Sequence, residues 1–430
     1  MHNNQIFSEY SNENNKSRKW WHRRWFKFVC ISLIIITIFA VILSVVLISV
    51  GVSSKKSENA TTITISSSLT TIMKTTTTTL SQSTVTITLS TEATTITTTQ
   101  NLGWINSSNM NYPRYRHTAS ILPGGKILVA GGLDDNTAIN TVELYDPSIK
   151  TWTTTSNMID KRWEHTASIL INGKVLITGG YNNAALKSTE LYDISKGTWR
   201  HTTSMNHARY YHTASVLTNG KVLVTGGSIS GIPNSAELYD SSIETWTSTS
   251  NMYNGRYYHT ASILTNGKVL VTGGYNTGGA LNSTELYDSS VGTWKITGSM
   301  HNARYYHTAS VLTNGKVLVT GGSNGSALKS VELYDPLLET WKITGSMHNA
   351  RYYHTASVLI NGKVLVTGGY DGGALDSAEL YDPLTEIWTT VDNMKNRRWV
   401  HTASVLPNGQ VLITCGYDNH TLDTNEIYNP

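Results

Sequence analysis

The stretch Arg351-Tyr-Tyr-His-Thr-Ala-Ser-Val-Leu-Ile-Asn-Gly-Lys-Val-Leu-Val-Thr-Gly-Gly369 holds two strand-forming runs around a turn signal. Its His-Thr-Ala-Ser core recurs from His117, His165, His212, His259, His307, His354 and His401, in steps of 48, 47, 47, 48, 47 and 47 residues. Fixed periodicity marks a repeat fold. Strand a reads His-Thr-Ala-Ser-Val-Leu, and strand b reads Lys-Val-Leu-Val-Thr, rich in β-branched residues. Asn-Gly separates them in six of the seven units, and Gly124-Gly125 stands there in the first. That dipeptide predicts a type I′ hairpin turn, with positive φ at both central residues. After a variable loop come strand c, Glu-Leu-Tyr-Asp in most units, and strand d, which carries a Trp. One four-stranded sheet per unit is the blade of a β-propeller.

The count predicts how the ring closes. Trp104 precedes the first repeat with no strand a, b or c ahead of it, and the chain stops at Tyr428-Asn-Pro430, just after a strand c. Seven Trp match seven blades only if the N-terminal strand completes the last blade as its strand d. Closure of this kind removes open edge strands. Each Trp is expected to bury against the next blade, stabilising by roughly 2–3 kcal/mol.

The diglycines from Gly131-Gly132 to Gly368-Gly369, with the Tyr-Asp and Trp that follow, resemble the kelch motif across residues 103–430. The last unit departs, with Cys415-Gly416. The resemblance implies an all-β, seven-bladed kelch propeller similar to that of galactose oxidase. It also implies that ligands are held where strand a begins, at the central mouth. The residues there are Tyr115-Arg116, Trp163-Glu164, Tyr210-Tyr211, Tyr257-Tyr258, Tyr305-Tyr306, Tyr352-Tyr353 and Trp399-Val400. Aromatic side chains with hydroxyls at hand suit sugars or peptide side chains. The b–c loops beside them vary most: Leu133-Asp-Asp-Asn, Ser228-Ile-Ser-Gly-Ile-Pro, Tyr275-Asn-Thr-Gly-Gly and Ser323-Asn-Gly-Ser. Binding residues concentrate in such loops on a rigid scaffold.

The same resemblance raises copper oxidase chemistry, which needs converging Tyr and His ligands and a Tyr cross-linked to a Cys. Cys415 is the only thiol after the apolar segment, and it fills a glycine slot of the repeat. No unit breaks pattern to supply a Tyr/His cluster. The seven repeat His stand one blade apart, too far to share an ion whose ligands lie near 2 Å. No metal, cofactor or catalytic residue is expected. The seven Arg from Arg114 to Arg398 and seven Glu from Glu143 to Glu426 recur in every unit, which points to scaffold.

Residues 1–102 differ in kind. They hold nine Lys/Arg and four Asp/Glu, a balance of +5, so the remaining 24 basic and 25 acidic residues balance at −1. A near-neutral domain argues against nucleic-acid binding. Residues 28–52 form an uncharged apolar run, long enough for a helix to span a bilayer and longer than the apolar part of a cleaved signal peptide. Lys16, Arg18, Lys19, Arg23, Arg24 and Lys27 precede it, and only Lys55 and Lys56 closely follow. The positive-inside rule then places residues 1–27 in the cytoplasm and the bulk of the chain outside. Residues 53–102 are expected to form a disordered, mucin-like stalk, since residues 61–100 contain 19 Thr and 6 Ser. Asn59, Asn106, Asn282, Asn324 and Asn419 head glycosylation sequons.

These features together predict a single-pass type II plasma-membrane protein. Its propeller is expected to recognise an extracellular protein or glycan without catalysis. The alternatives are a membrane-tethered copper oxidase and a structural glycocalyx component with no specific ligand.

Overall fold

The computed structural model describes residues 50–57, 60–67, 103–227 and 234–430. The chain divides into two compact units, Met1–Leu102 and Gly103–Pro430. In the first, Val50–Ser57 and Ala60–Ser67 pair as an antiparallel ribbon, from Val50 opposite Ser67 to Ser57 opposite Ala60. These strands overlap the end of the expected span and the start of the expected stalk. The strands are rich in β-branched Val, Ile and Thr, which favour the pleated conformation. The rest of the expected span, tail and stalk, Asn59 included, lies outside the described residues. No helix among the described residues is long and apolar enough to cross a membrane.

In the second unit, seven four-stranded sheets follow one another. The sixth blade runs Thr355–Val358 (a), Val364–Thr367 (b), Ala378–Asp382 (c) and Ile387–Val391 (d), each antiparallel to the last. In the seventh, strand d is Gly103–Asn106 from the start of the ring, with Gly103 opposite Asn429 and Trp104 opposite Tyr428. The ring is therefore closed by pairing the two ends of the unit.

Strand b is buried on both faces in every blade, which explains its unbroken apolar sequence. Its alternate side chains serve different neighbours. Val364 and Val366 pack with Leu318, Leu333 and Met347 of the fifth blade, whereas Leu365 packs with Val411 and Ile413 of the seventh. The last joint sets Leu412, Cys415 and Ile427 against Ile127, Val129 and Trp152 of the first blade.

Two local expectations change. The Asn-Gly turns are not type I′, because Gly173 has φ +78° while Asn172 does not enter the positive region. Gly173 N–H donates to Leu170 O at 2.9 Å, and Leu170 N–H to Lys174 O at 2.8 Å. This is a three-residue loop, a type I turn followed by a left-handed Gly. In the first blade both Gly124 and Gly125 have positive φ behind Pro123, the pattern of a type II turn.

The Trp rings also face the other way round the ring. Trp388 Nε1 donates to Gly345 O at 2.7 Å and Trp341 Nε1 to Gly298 O at 2.8 Å, both in the linker of the preceding blade. Each ring lies about 5 Å from the strand c Tyr of its own blade, as Trp388 does from Tyr381.

Candidate functional site

The paired residues ahead of strand a split between two rings. The first members, Tyr115, Trp163, Tyr257, Tyr305, Tyr352 and Trp399, bridge to the residue after the glycines in their own blade, as Trp163 does to Tyr181. Tyr210 packs beside them, with its ring 4.9 Å from Tyr181. Together these seven form an outer rim.

The second members are Arg116, Glu164, Tyr211, Tyr258, Tyr306, Tyr353 and Val400. All have φ between +48° and +59°. That region is uncommon for non-glycine residues and a marked outlier for a β-branched Val. Its cause is visible in the hydrogen bonds. Val400 N–H donates to Tyr353 O at 3.2 Å, Tyr353 N–H to Tyr306 O at 3.2 Å, and Arg116 N–H to Val400 O at 3.2 Å. Backbone bonds thus run from blade to blade about the axis, and the left-handed turn throws these side chains inward.

The inner side chains fill the mouth. The ring centroids of Tyr211 and Tyr258 lie 4.1 Å apart, those of Tyr258 and Tyr306 4.0 Å, and those of Tyr306 and Tyr353 3.7 Å. Burial raises the pKa of all four phenols, that of Tyr258 to about 12. Arg116 crosses the axis. It pairs with Glu164 and donates to Tyr211 Oη at 3.1 Å and to Tyr353 Oη at 3.2 Å. Its guanidinium lies 4.9 Å from the Tyr353 ring centroid and 5.6 Å from that of Trp163, within cation–π range. Burial opposes the charge of Arg116, but Glu164 and the two phenols outweigh it and hold the pKa well above its ordinary value. An axial cavity of about 280 Å³ is lined by this ring and the seven repeat His.

Two clefts open outside the plugged mouth. The larger, about 880 Å³, lies between blades one and two and reaches Trp399 and Tyr417 of blade seven. The other, about 680 Å³, spans blades five and six and ends at Trp399. Arg116 lines both. The rim is wider than the paired positions alone. Tyr181, Tyr275, Tyr370 and Tyr417 join it, with Tyr115 to Tyr417 at 5.0 Å and Tyr370 to Trp399 at 5.4 Å. The sequence signal was the Tyr that follows the glycine pair in three of these units and Cys415-Gly416 in the fourth. The third-blade loop from residue 228 to 233 lies outside the described residues.

The recurrent charges are scaffold. Arg351 is fully buried, pairs with Glu379 at 2.8 Å and donates to the carbonyls of Gly368 and Ser377. Glu379 in turn accepts from the backbone N–H groups of His348 and Asn349. Each repeat His is buried, and its Nε2 is hydrogen bonded to a strand a Thr of the preceding blade, as in His165 with Thr118 at 3.0 Å. His212 adds Thr178 at 3.2 Å.

The Nε2 of each repeat His is already bonded to a Thr hydroxyl, which opposes its use as a copper ligand. Among the described residues, the only three His, Cys, Asp or Glu donors close enough to share an ion are Asp160, Glu190 and His201. Two of them are already engaged by Arg162, at 2.9 and 2.7 Å. Cys415 is fully buried, 3.1 Å from Met110 Sδ, and burial pushes its thiol pKa up to about 12. A cysteine held in its thiol form is a poor nucleophile and metal ligand.

Of the described sequon residues, Asn106, Asn324 and Asn419 are exposed. Asn282 is exposed too, but its amide donates to Met300 O at 3.1 Å.

Comparison with known proteins places this ring in a family. A model described as the KLHDC2/KLHL20/DRC7 Kelch-repeats domain matches residues 164–369 and 211–416, together more than half of the chain. A Kelch motif model matches residues 113–159. The chain belongs to the kelch-repeat family, a mostly non-enzymatic class of propellers that commonly bind proteins. Among solved structures it is similar to a fungal alcohol oxidase with catalytic diversity among the AA5 family, in complex with copper. The identity is 19%, over 77% of each chain, with a TM-score of 0.64. It is also similar to YjhT, at 16% identity over 66% of this chain and 99% of that one, with a TM-score of 0.52. At these identities the likeness is one of fold. No curated protein matches the chain significantly.

Proposed function

We propose that this chain is a membrane-anchored recognition module, in which the kelch ring holds an extracellular protein or glycan on its variable face. In this reading residues 1–27 are a cytoplasmic tail, 28–52 a signal anchor, 53–102 a glycosylated stalk and 103–430 the binding domain. The anchor rests on the uncharged length of 28–52 and on the basic cluster before it.

The observation that carries the binding role is the aromatic rim. More than ten Tyr and Trp side chains stand on one face of a rigid ring, where packing alone would not require them. Such rims supply large contact area at small ordering cost. The fully buried thiol of Cys415, poorly placed for a Tyr–Cys cross-link, supports binding over oxidation.

The test is to screen the full chain, purified in detergent, against glycan and protein libraries. Replacing Tyr210, Tyr257, Tyr305 and Tyr352 together by Ala is expected to weaken the selected ligand at least tenfold, with circular dichroism unchanged. Undiminished binding by that folded variant would sink the rim model. Failure to select any ligand would leave the structural glycocalyx reading.

A further inference from the structure

The departures from sevenfold repetition concentrate at one place. The inner position is Tyr in blades three to six, but Arg116, Glu164 and Val400 in blades one, two and seven. The larger of the two clefts opens beside Arg116 and is lined by the outer neighbours of all three, Tyr115, Trp163 and Trp399. The axial mouth cannot be the principal site as it stands, because Arg116 already bonds Glu164, Tyr211 and Tyr353 across it. A ligand there would have to displace a buried, compensated cation, which is costly.

From this geometry we infer that the off-axis cleft of blades one and two is a saccharide site selective for a sugar bearing a carboxylate. The inference rests on the recognition-module reading and assigns its ligand class. The cleft is walled by aromatic rings, tilted by 57° and 56° within two pairs. Trp163 and Tyr181 lie 5.3 Å apart on one side, and Tyr115 and Tyr417 lie 5.0 Å apart on the other. Pyranose rings stack on such faces through their C–H edges. Between the walls stand amide groups suited to hydroxyls. Asn136 Oδ1 accepts from Tyr115 Oη at 2.7 Å, which fixes the amide and leaves its N–H₂ to donate. Asn182 and Asn183 also line the cleft, and its aliphatic lining is limited to Leu133 and Ala138. A peptide side chain would find little apolar pocket there.

Charge decides the rest. No Asp or Glu lines the cleft. Arg116 is neutralised by Glu164. Asp160, the neighbour of Lys161, is paired with Arg162 at 2.9 Å, which leaves Lys161 exposed and without an ion pair among the described residues. Lys161 therefore brings to the cleft an ammonium without an ion-pair partner among the described residues.

The probes are a hexuronate oligosaccharide, the same oligosaccharide with its carboxyls reduced, and an acidic peptide, each titrated against the full chain in detergent. The acidic sugar is expected to bind about fivefold tighter than its reduced form. Lys161→Gln should abolish that preference and change binding of the reduced sugar by less than about twofold. Trp163→Ala should weaken both sugars at least tenfold, with Trp163→Phe restoring most of the loss. Because Trp163 could also matter for folding, the exposed Lys161 variant and an unchanged melting temperature keep the test independent of stability. Equal binding of the two sugars, an indifferent Lys161→Gln, or binding of the peptide alone would overturn the assignment. If the four-tyrosine variant still loses some other ligand, the recognition module stands and only the cleft falls. If no ligand of any class binds, both fall.

Discussion

Each repeat commits one buried histidine to the joint with its neighbour. Burial lowers the pKa of all seven, to about 3 for His165 and His307, so all are neutral in the folded ring. In the unfolded chain the same rings take up a proton near pH 6.5. Below that pH the unfolded state binds more protons, so stability falls with pH and goes on falling until the folded pKa is reached. Each histidine contributes a slope of up to about 1.4 kcal/mol per pH unit. The melting temperature should therefore drop between pH 7 and pH 5, a window above the range in which ordinary carboxylates titrate. A flat profile there would contradict the buried, neutral histidines. The repeat made these residues conspicuous as a potential metal set, and spacing alone argued against that. Their Thr partners were not legible, because the bond crosses between blades and depends on how strands a of adjacent sheets face each other.

At the level of the strand, order and boundaries were largely open to reading from sequence. Apolar strand b, the turn glycine and the Trp of strand d each recur with a fixed spacing, and each has a local physical cause. Two of the misread features depend on backbone torsion instead. The Asn-Gly loop keeps Asn172 out of the left-handed region, and the aromatic pairs separate because Tyr211 and its equivalents enter it. Nothing in a Tyr-Tyr dipeptide announces positive φ. The closing strand Gly103–Asn106 yields a prediction of its own. Trp104 and Trp388 occupy equivalent positions, donating to Asp392 O at 2.6 Å and to Gly345 O at 2.7 Å. Replacing either by Ala should cost about 2–4 kcal/mol in thermal or denaturant unfolding. The difference lies in what opens. Trp388 sits in a blade of continuous chain, whereas Trp104 helps hold the two ends of the unit together. Trp104→Ala should therefore speed hydrogen exchange in Asn425–Asn429 before the rest of the ring, and Trp388→Ala should not.

Over the whole molecule, the contrast is between a ring with near-identical joints and a short stretch of blades seven, one and two where the inner residues differ. The chain enters the ring at Gly103, on the side of the c–d turns, while the rim and the variable loops open on the other side. The proposed topology makes the exposed sequons reporters of compartment, since the oligosaccharide is added only on the lumenal side of the membrane. Asn324 and Asn419 stand exposed at the variable loops, so both should carry glycan if residues 103–430 are extracellular. Asn282 should be occupied to a lesser extent, because its amide is engaged by Met300 O. The measurement is endoglycosidase treatment of the full chain expressed in animal cells, with Asn324→Gln and Asn419→Gln each removing one step of the mass shift. A tag placed before residue 28 should meanwhile stay hidden from antibody until the cells are permeabilised. Unmodified asparagines together with a tag exposed on intact cells would invert the orientation read from the basic cluster, and would place the rim on the cytoplasmic side.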